Sequence, residues 1–152
     1  MQLVTINEKN YTQYGFDHLH DPVRPELGFD FRTSPGRTIL ALATPEAYWA
    51  AICVAFTNAV PTTVQELDFF SQAACQDGQR GSIAVAYTVW SRKAGAGRDM
   101  VFAAIDEVKR DPLVKRLVTL SPKTEMARKF HLRNGAFTLQ ENTETDNYEY
   151  TL

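Results

Sequence analysis

The chain has 152 residues, 44% of them apolar, and 16 Lys and Arg against 18 Asp and Glu give a net charge of −2. That balance excludes a strongly basic nucleic-acid binder, and no apolar run reaches the roughly 18 residues of a membrane-spanning helix. A chain of this length buries about two thirds of the surface its unfolded form exposes, so residues 1–152 are expected to fold as one domain without disulfides or metal. Cys53 and Cys75 show no CxxC spacing, and no basic start leads into an apolar run, so a cytoplasmic setting is expected.

In chain order, Gln2 to Ile6 alternates as a first strand. Residues 8–31 are polar, aromatic and broken by Pro22 and Pro25, which predicts one short helix or an irregular excursion. Residues 37–43 and 48–56 predict a hairpin around Thr44 and Pro45. A helix over 46–56 is the alternative, since that stretch holds four alanines. Between 57 and 82, turn formers at Asn58, Pro61, Asp77, Gly78 and Gly81 surround the amphipathic piece from Val64 to Ala74, which reads as a short helix or a flexible loop. Residues 82–91 have two apolar faces, Ile83, Val85, Tyr87 and Val89 against Ala84, Ala86, Thr88 and Trp90. A strand covered on both sides belongs in the middle of a sheet.

Residues 97–110 carry Val101, Ala104, Ile105 and Val108 on one helical stripe, and Asp111-Pro112 ends that helix. Residues 116–120 form another buried strand. Ser121-Pro122 then reads as a helix start, with Ser121 as N-cap and Pro122 at the first helical position. This helix is expected to run to about Asn134, where Gly135 supplies a left-handed stop. Residues 136–140 and 147–152 read as a closing hairpin.

The small net charge conceals two opposite parts. Residues 92–133 hold eleven basic and five acidic side chains, net +6, and the remainder carries −8. Such a block is either a set of solvated helix faces or one face that meets an anion. The junction Val89-Trp90-Ser91-Arg92-Lys93-Ala94-Gly95-Ala96-Gly97-Arg98 favours an anion, because a strand gives way there to a basic loop with two glycines and then a helix start. Helix N-termini offer unpaired N–H groups, and glycines let backbone approach a ligand closely. A P-loop is excluded by the spacing, and the dinucleotide fingerprint would need glycine where Met100 stands. What remains is R-x-x-G-x-G.

This string, in this setting, resembles the pyrophosphate loop of the GNAT superfamily of acyl-CoA-dependent N-acetyltransferases, [RQ]-x-x-G-x-[GA], with Arg92, Gly95 and Gly97 at its defined positions. T-E-M-A-R-K-F-H-L-R-N-G-A is similar to the family's later helix, matching at Ala127, Phe130 and Gly135. The likeness covers roughly residues 83–152. It implies an α/β (α+β) fold with a mixed, mostly antiparallel sheet of about six to seven strands flanked by helices. It also implies acetyl-CoA as cofactor. Val89 and Trp90 would offer backbone groups to the pantetheine, and the amides of Arg92, Lys93, Ala94, Gly95, Ala96, Gly97 and Arg98 would hold the pyrophosphate. Lys93, Arg98, Arg128 and Lys129 would be candidates for the phosphate charges, and Thr124, Ala127 and Phe130 would flank the cofactor.

The activity implied is transfer of an acetyl group to a primary amine on a small molecule or peptide, with an oxyanion donor near Val89 or Trp90. His131 stands where the family usually has the Tyr that protonates the leaving thiolate, and its ordinary pKa of about 6.5 suits that task. Thr124 stands where Asn is usual. No Glu or Asp lies in 83–91, where many of these enzymes keep a base, which leaves Tyr87 and Ser121 as polar candidates. A CoA-binding or structural module with little or no catalysis is therefore the alternative function. No nucleic-acid or membrane partner is expected, and a homodimer is kept open because such proteins are often dimers. His18 and His20, beside Asp17 and Asp21, lack a further ligand pattern, so no metal site is expected.

Overall fold

In the computed structural model, which describes residues 1–17, 20–75 and 79–152, the β-branched and aromatic runs form one mixed sheet. Its strands are β1 (Gln2–Ile6), β2 (Arg37–Thr44), β3 (Ala47–Thr57), β4 (Ile83–Ser91), β5 (Arg116–Thr119), β6 (Ser121–Pro122), β7 (Phe137–Glu141) and β8 (Thr145–Tyr150). Their order is β1-β2-β3-β4-β5-β8-β6, with β7 paired on β8. Pairing is antiparallel throughout except between β4 and β5. The helices are α1 (Phe29–Thr33), α2 (Val64–Ala74), α3 (Ala96–Lys109) and α4 (Glu125–Arg133). His18, Asp77 and Gly78 lie outside the described residues. Among the described residues, no helix is long and apolar enough to cross a membrane.

The piece from Val64 to Ala74 is a helix because its start is capped twice. Thr63 Oγ1 accepts from the Glu66 amide at 3.0 Å, and the Glu66 carboxylate accepts from the Thr62 amide at 2.8 Å. The helical alternative for 46–56 gives way to β3, whose alanines are buried in the middle of the sheet.

One expectation is corrected at Ser121-Pro122. These residues form β6, opposite Asp146 and Thr145 of β8. The Ser121 hydroxyl is engaged with Thr119 Oγ1 at 2.9 Å, and Pro122 costs no ladder bond at a sheet edge. The cap passes to Thr124, whose Oγ1 accepts from the Ala127 amide at 3.2 Å, so the helix begins later than the Ser-Pro pair suggests.

Each face of the sheet carries its own apolar layer. Met100, Val101, Ala104 and Val108 of α3 pack over Ile52, Val54, Ala84 and Ala86 on one face. Leu67 of α2 and the amino-terminal aromatics Tyr14 and Phe16 pack over Ala51, Cys53, Val85 and Tyr87 on the other.

A β-bulge lies in the middle of β4. Thr88 is opposite Cys53 and Ala86 is opposite Val54, so Tyr87 is the extra residue. The bulge reverses the side-chain alternation. Before it, odd-numbered residues join the layer under α2. After it, Trp90 joins that layer and Val89 packs toward α3. The unbroken alternation expected for 83–91 is therefore wrong from Thr88 onward.

Candidate functional site

The parallel pairing of β4 with β5 covers only Ile83–Ala86 against Arg116–Thr119, and the Leu120 amide adds one more bond to the Ala86 carbonyl at 2.9 Å. Beyond that point β4 continues to Ser91, while the segment after β5 turns away as β6, paired with β8. The strands diverge, and a cavity of about 490 Å³ opens between them, walled by β4, the start of α3, α4 and the segment at Pro22 and Val23.

The exposed edge of β4 has a defined polarity. The Arg92 amide donates to the Trp49 carbonyl at 2.7 Å, which continues the β3–β4 ladder. Antiparallel alternation then turns the backbone of Trp90 and Thr88 to β3, and that of Val89 and Ser91 into the gap. Val89 thus offers its main chain to the cavity. Trp90 contributes only its ring, which is buried, with Nε1 donating to the Tyr48 hydroxyl at 3.0 Å.

At the end of β4 the chain enters α3 through Gly95, which has φ +81° and provides no side-chain cap. A non-glycine residue would be strained there. The Gly97 and Arg98 amides have no hydrogen-bond partner among the described residues, as befits an uncapped helix start. Gly97 is buried against the site: a Cβ there would meet the Phe130 ring at 3.3 Å and Ser91 Oγ at 3.7 Å. Ala94 is exposed and Ala96 is buried under the first turn.

Four of the eleven basic residues of the 92–133 block are ion-paired. Arg110, Arg116, Lys123 and Arg128 pair with Glu107, Glu149, Asp146 and Glu125. Three loop cations have no carboxylate partner among the described residues. Arg92 lies over Tyr48 at 4.8 Å, Lys93 over Trp49 at 3.5 Å and Arg98 over Phe102 at 4.9 Å. Lys109, Lys115, Lys129 and Arg133 also lack a carboxylate partner among the described residues, so three of the block's seven unpaired cations lie at the glycine loop.

On the opposite wall, α4 brings Thr124, Ala127, Phe130 and His131 to the cavity. His131 is 6% exposed, and its Nδ1 lies 2.7 Å from the Tyr150 hydroxyl. The Tyr148 ring stacks on it at 5.4 Å. Burial pushes the imidazole down to about 4, so it is neutral near pH 7, and the ordinary value assumed from sequence does not hold. Burial likewise raises the Tyr150 phenol above its usual range.

Ser121 also lines the cavity, its hydroxyl already bonded to Thr119. The Tyr87 hydroxyl is buried with no hydrogen-bond partner among the described residues, and its ring packs edge-on against Phe31 in the layer under α2. Burial raises this phenol well above its ordinary value. Among the described lining residues there is no carboxylate.

Sequence reasoning missed two residues here. Tyr150 carried only the weak signal of an inward position in a closing strand. Arg24, whose Nε donates to the Tyr87 carbonyl at 2.9 Å and whose Nη2 donates to the Leu120 carbonyl at 3.0 Å, carried none.

A coenzyme A group fits the residues present: an unpaired strand edge at Val89, a glycine-lined passage past Phe130, free amides at Gly97 and Arg98, and loop cations at the outer end.

Comparison with solved structures establishes the fold as GNAT-like. The GNAT domain of PAT from S. lividans superposes with TM-score 0.61 at 14% identity, over 99% of this chain and 89% of that one. Arabidopsis thaliana Naa50, in complex with the bisubstrate analogue CoA-Ac-MVNAL, gives TM-score 0.60 at 11% identity, over 99% and 98%. Malonyl-CoA decarboxylase from Agrobacterium vitis gives TM-score 0.68 at 17% identity over 99% of this chain, which spans only 60% of the decarboxylase. No family model matches the sequence, and no curated protein matches it.

Proposed function

We propose that the chain is a single-domain, cytoplasmic acyl-CoA-dependent N-acyltransferase that moves an acetyl group from acetyl-CoA to a primary amine on a small molecule or peptide. The divergence of β4 from β5 carries this reading, because it leaves an unpaired strand edge leading straight to an uncapped glycine loop. Val89 would pair with the pantetheine as a neighbouring strand does, and the Gly97 and Arg98 amides would receive the pyrophosphate. Lys93 and Arg98 would add charge around it.

Acetyl-CoA supplies, when bound, an acetyl thioester as the electrophile. The Val89 N–H, turned to the gap by the β3–β4 ladder, would stabilise negative charge on an acyl oxygen. Trp90, Phe130 and Met126 give the same space an apolar lining. His131 moves the proton. In the tautomer whose Nδ1–H donates to the Tyr150 oxygen, the Nε2 lone pair is free. The neutral ring would take the proton of the attacking amine at Nε2 and pass it to the departing CoA thiolate, its depressed pKa making it a weak base and a ready acid.

The absence of a lining carboxylate among the described residues favours a second reading, a CoA-binding module with weak or no turnover. Calorimetry with CoA and acetyl-CoA, followed by thiol release over a panel of amines, separates the two. Malonyl-CoA belongs in the thioester panel, given the likeness to a decarboxylase of that substrate. Binding with turnover that is lost in His131→Ala supports the enzyme. Binding without turnover supports the module, and no binding contradicts both.

A further inference from the structure

Where β4 and β5 separate, the first two carbonyls left without a partner strand are those of Tyr87, the bulged residue, and Leu120, the first residue past β5. Both are taken by one side chain. Arg24 donates from Nε to Tyr87 and from Nη2 to Leu120, at 2.9 and 3.0 Å, so its guanidinium occupies the rung that a continuing sheet would fill. A guanidinium is suited to this, since its donors form a rigid planar fork that two carbonyls can share.

Arg24 is itself held on several sides. The Asp21 carboxylate accepts from the Val23 and Arg24 amides at 2.7 and 3.2 Å, which closes the turn that presents Arg24. The same carboxylate pairs with Arg32 Nη1 at 2.7 Å, both side chains being fully buried. Arg32 Nη2 donates to the Arg24 carbonyl at 2.7 Å, and Arg32 Nε to the Leu27 carbonyl at 3.0 Å. Such a fixed turn also sets Pro22 and Val23 against the cavity wall.

We propose that Arg24 is a positioning residue: a wedge whose guanidinium replaces the next β4–β5 rung, holds the strands apart and so keeps the Val89 edge open for the cofactor. The role rests on the reading of the cleft as the CoA site. Without the fork, the two carbonyls would be buried and unsatisfied. Satisfying them by strand pairing would draw Val89 toward Ser121 and narrow the cleft.

The test compares the wild-type chain with Arg24→Lys and Arg24→Met. CoA affinity is measured by calorimetry, folding by thermal melts, and the separation of Val89 from Ser121 in the ligand-free proteins by cross-strand NMR contacts. The wedge predicts that Arg24→Met, still melting cooperatively, weakens CoA binding at least tenfold and gains contacts between Val89 and Ser121. Arg24→Lys, which reaches one carbonyl at a time, should fall between. If both variants lower the melting temperature but bind CoA within twofold of wild type, Arg24 is only a stabilising residue and the wedge is overturned. If Arg24→Met does not fold, Arg24→Lys decides by the same two readings. If the wild-type protein binds no CoA, the cofactor reading fails by itself. The wedge then stands or falls on the NMR contacts, which are new in the variants if it is right and unchanged if it is wrong.

Discussion

The two ends of the cleft are built on different principles. At the α3 end the site is main chain: two glycines, an uncapped helix start and exposed cations that sit on aromatic rings. At the end where the strands part it is side chain: buried Arg24 holds one carbonyl of β4 and one just past β5, and is itself held by the buried Asp21–Arg32 pair. The first design needs little stability of its own and keeps its groups available to a ligand. The second uses its groups on the protein itself, so its loss is felt first in folding.

The largest expected effect breaks the buried end. Asp21→Ala leaves Arg32 buried without its carboxylate and removes the acceptor of the 21–24 turn. Urea unfolding should give a loss of about 3–5 kcal/mol. A loss below about 1 kcal/mol would show that the network is dispensable.

A second effect comes from His131. Its folded-state pKa of about 4 lies below the unfolded value of about 6.5, so between these the unfolded chain binds more protons. The stability it contributes is fully present above the upper value and is lost as the pH falls toward the lower one, by on the order of 3 kcal/mol. Urea midpoints at pH 7 and pH 4.5 should therefore differ more for the wild-type protein than for His131→Gln. Equal differences would mean that the ring is not held neutral by burial.

At the glycine loop the effect should appear in binding and not in folding. Gly97→Val drives side-chain atoms into the space bounded by Phe130 and Ser91. Calorimetry should show at least a tenfold loss of CoA affinity, about 1.4 kcal/mol, with the melting temperature little changed. Thr124→Ala is the smallest perturbation: loss of the cap should cost about 1 kcal/mol in urea unfolding. A parallel loss of CoA affinity would place the Thr124 hydroxyl against the cofactor as well.

The same contrast explains what the sequence made legible. Main-chain sites are encoded locally, so Arg92, Gly95 and Gly97 form a readable string, and Gly135 a readable stop. The Arg24 contacts span 63 and 96 residues, and no local pattern encodes them. The bulge at Tyr87 was hidden because both faces of β4 are apolar, so a reversal of phase changes no residue class. Ser121-Pro122 resembled a helix start because an N-cap serine and an edge-strand serine look alike until β8 is seen to pair with them. The shift of His131 was invisible for a related reason: its burial depends on Tyr148 and Tyr150, which reach it from the last strand.

The most direct test of the cleft as a CoA site is an NMR titration of the wild-type protein with CoA, following backbone amides. The amides of Val89, Ser91, Gly97 and Arg98 should shift together and saturably, while those around the separate cavity near Arg80 and Asp111 stay still. Saturable shifts confined to that other cavity, or no shift along the β4 edge, would contradict the assignment.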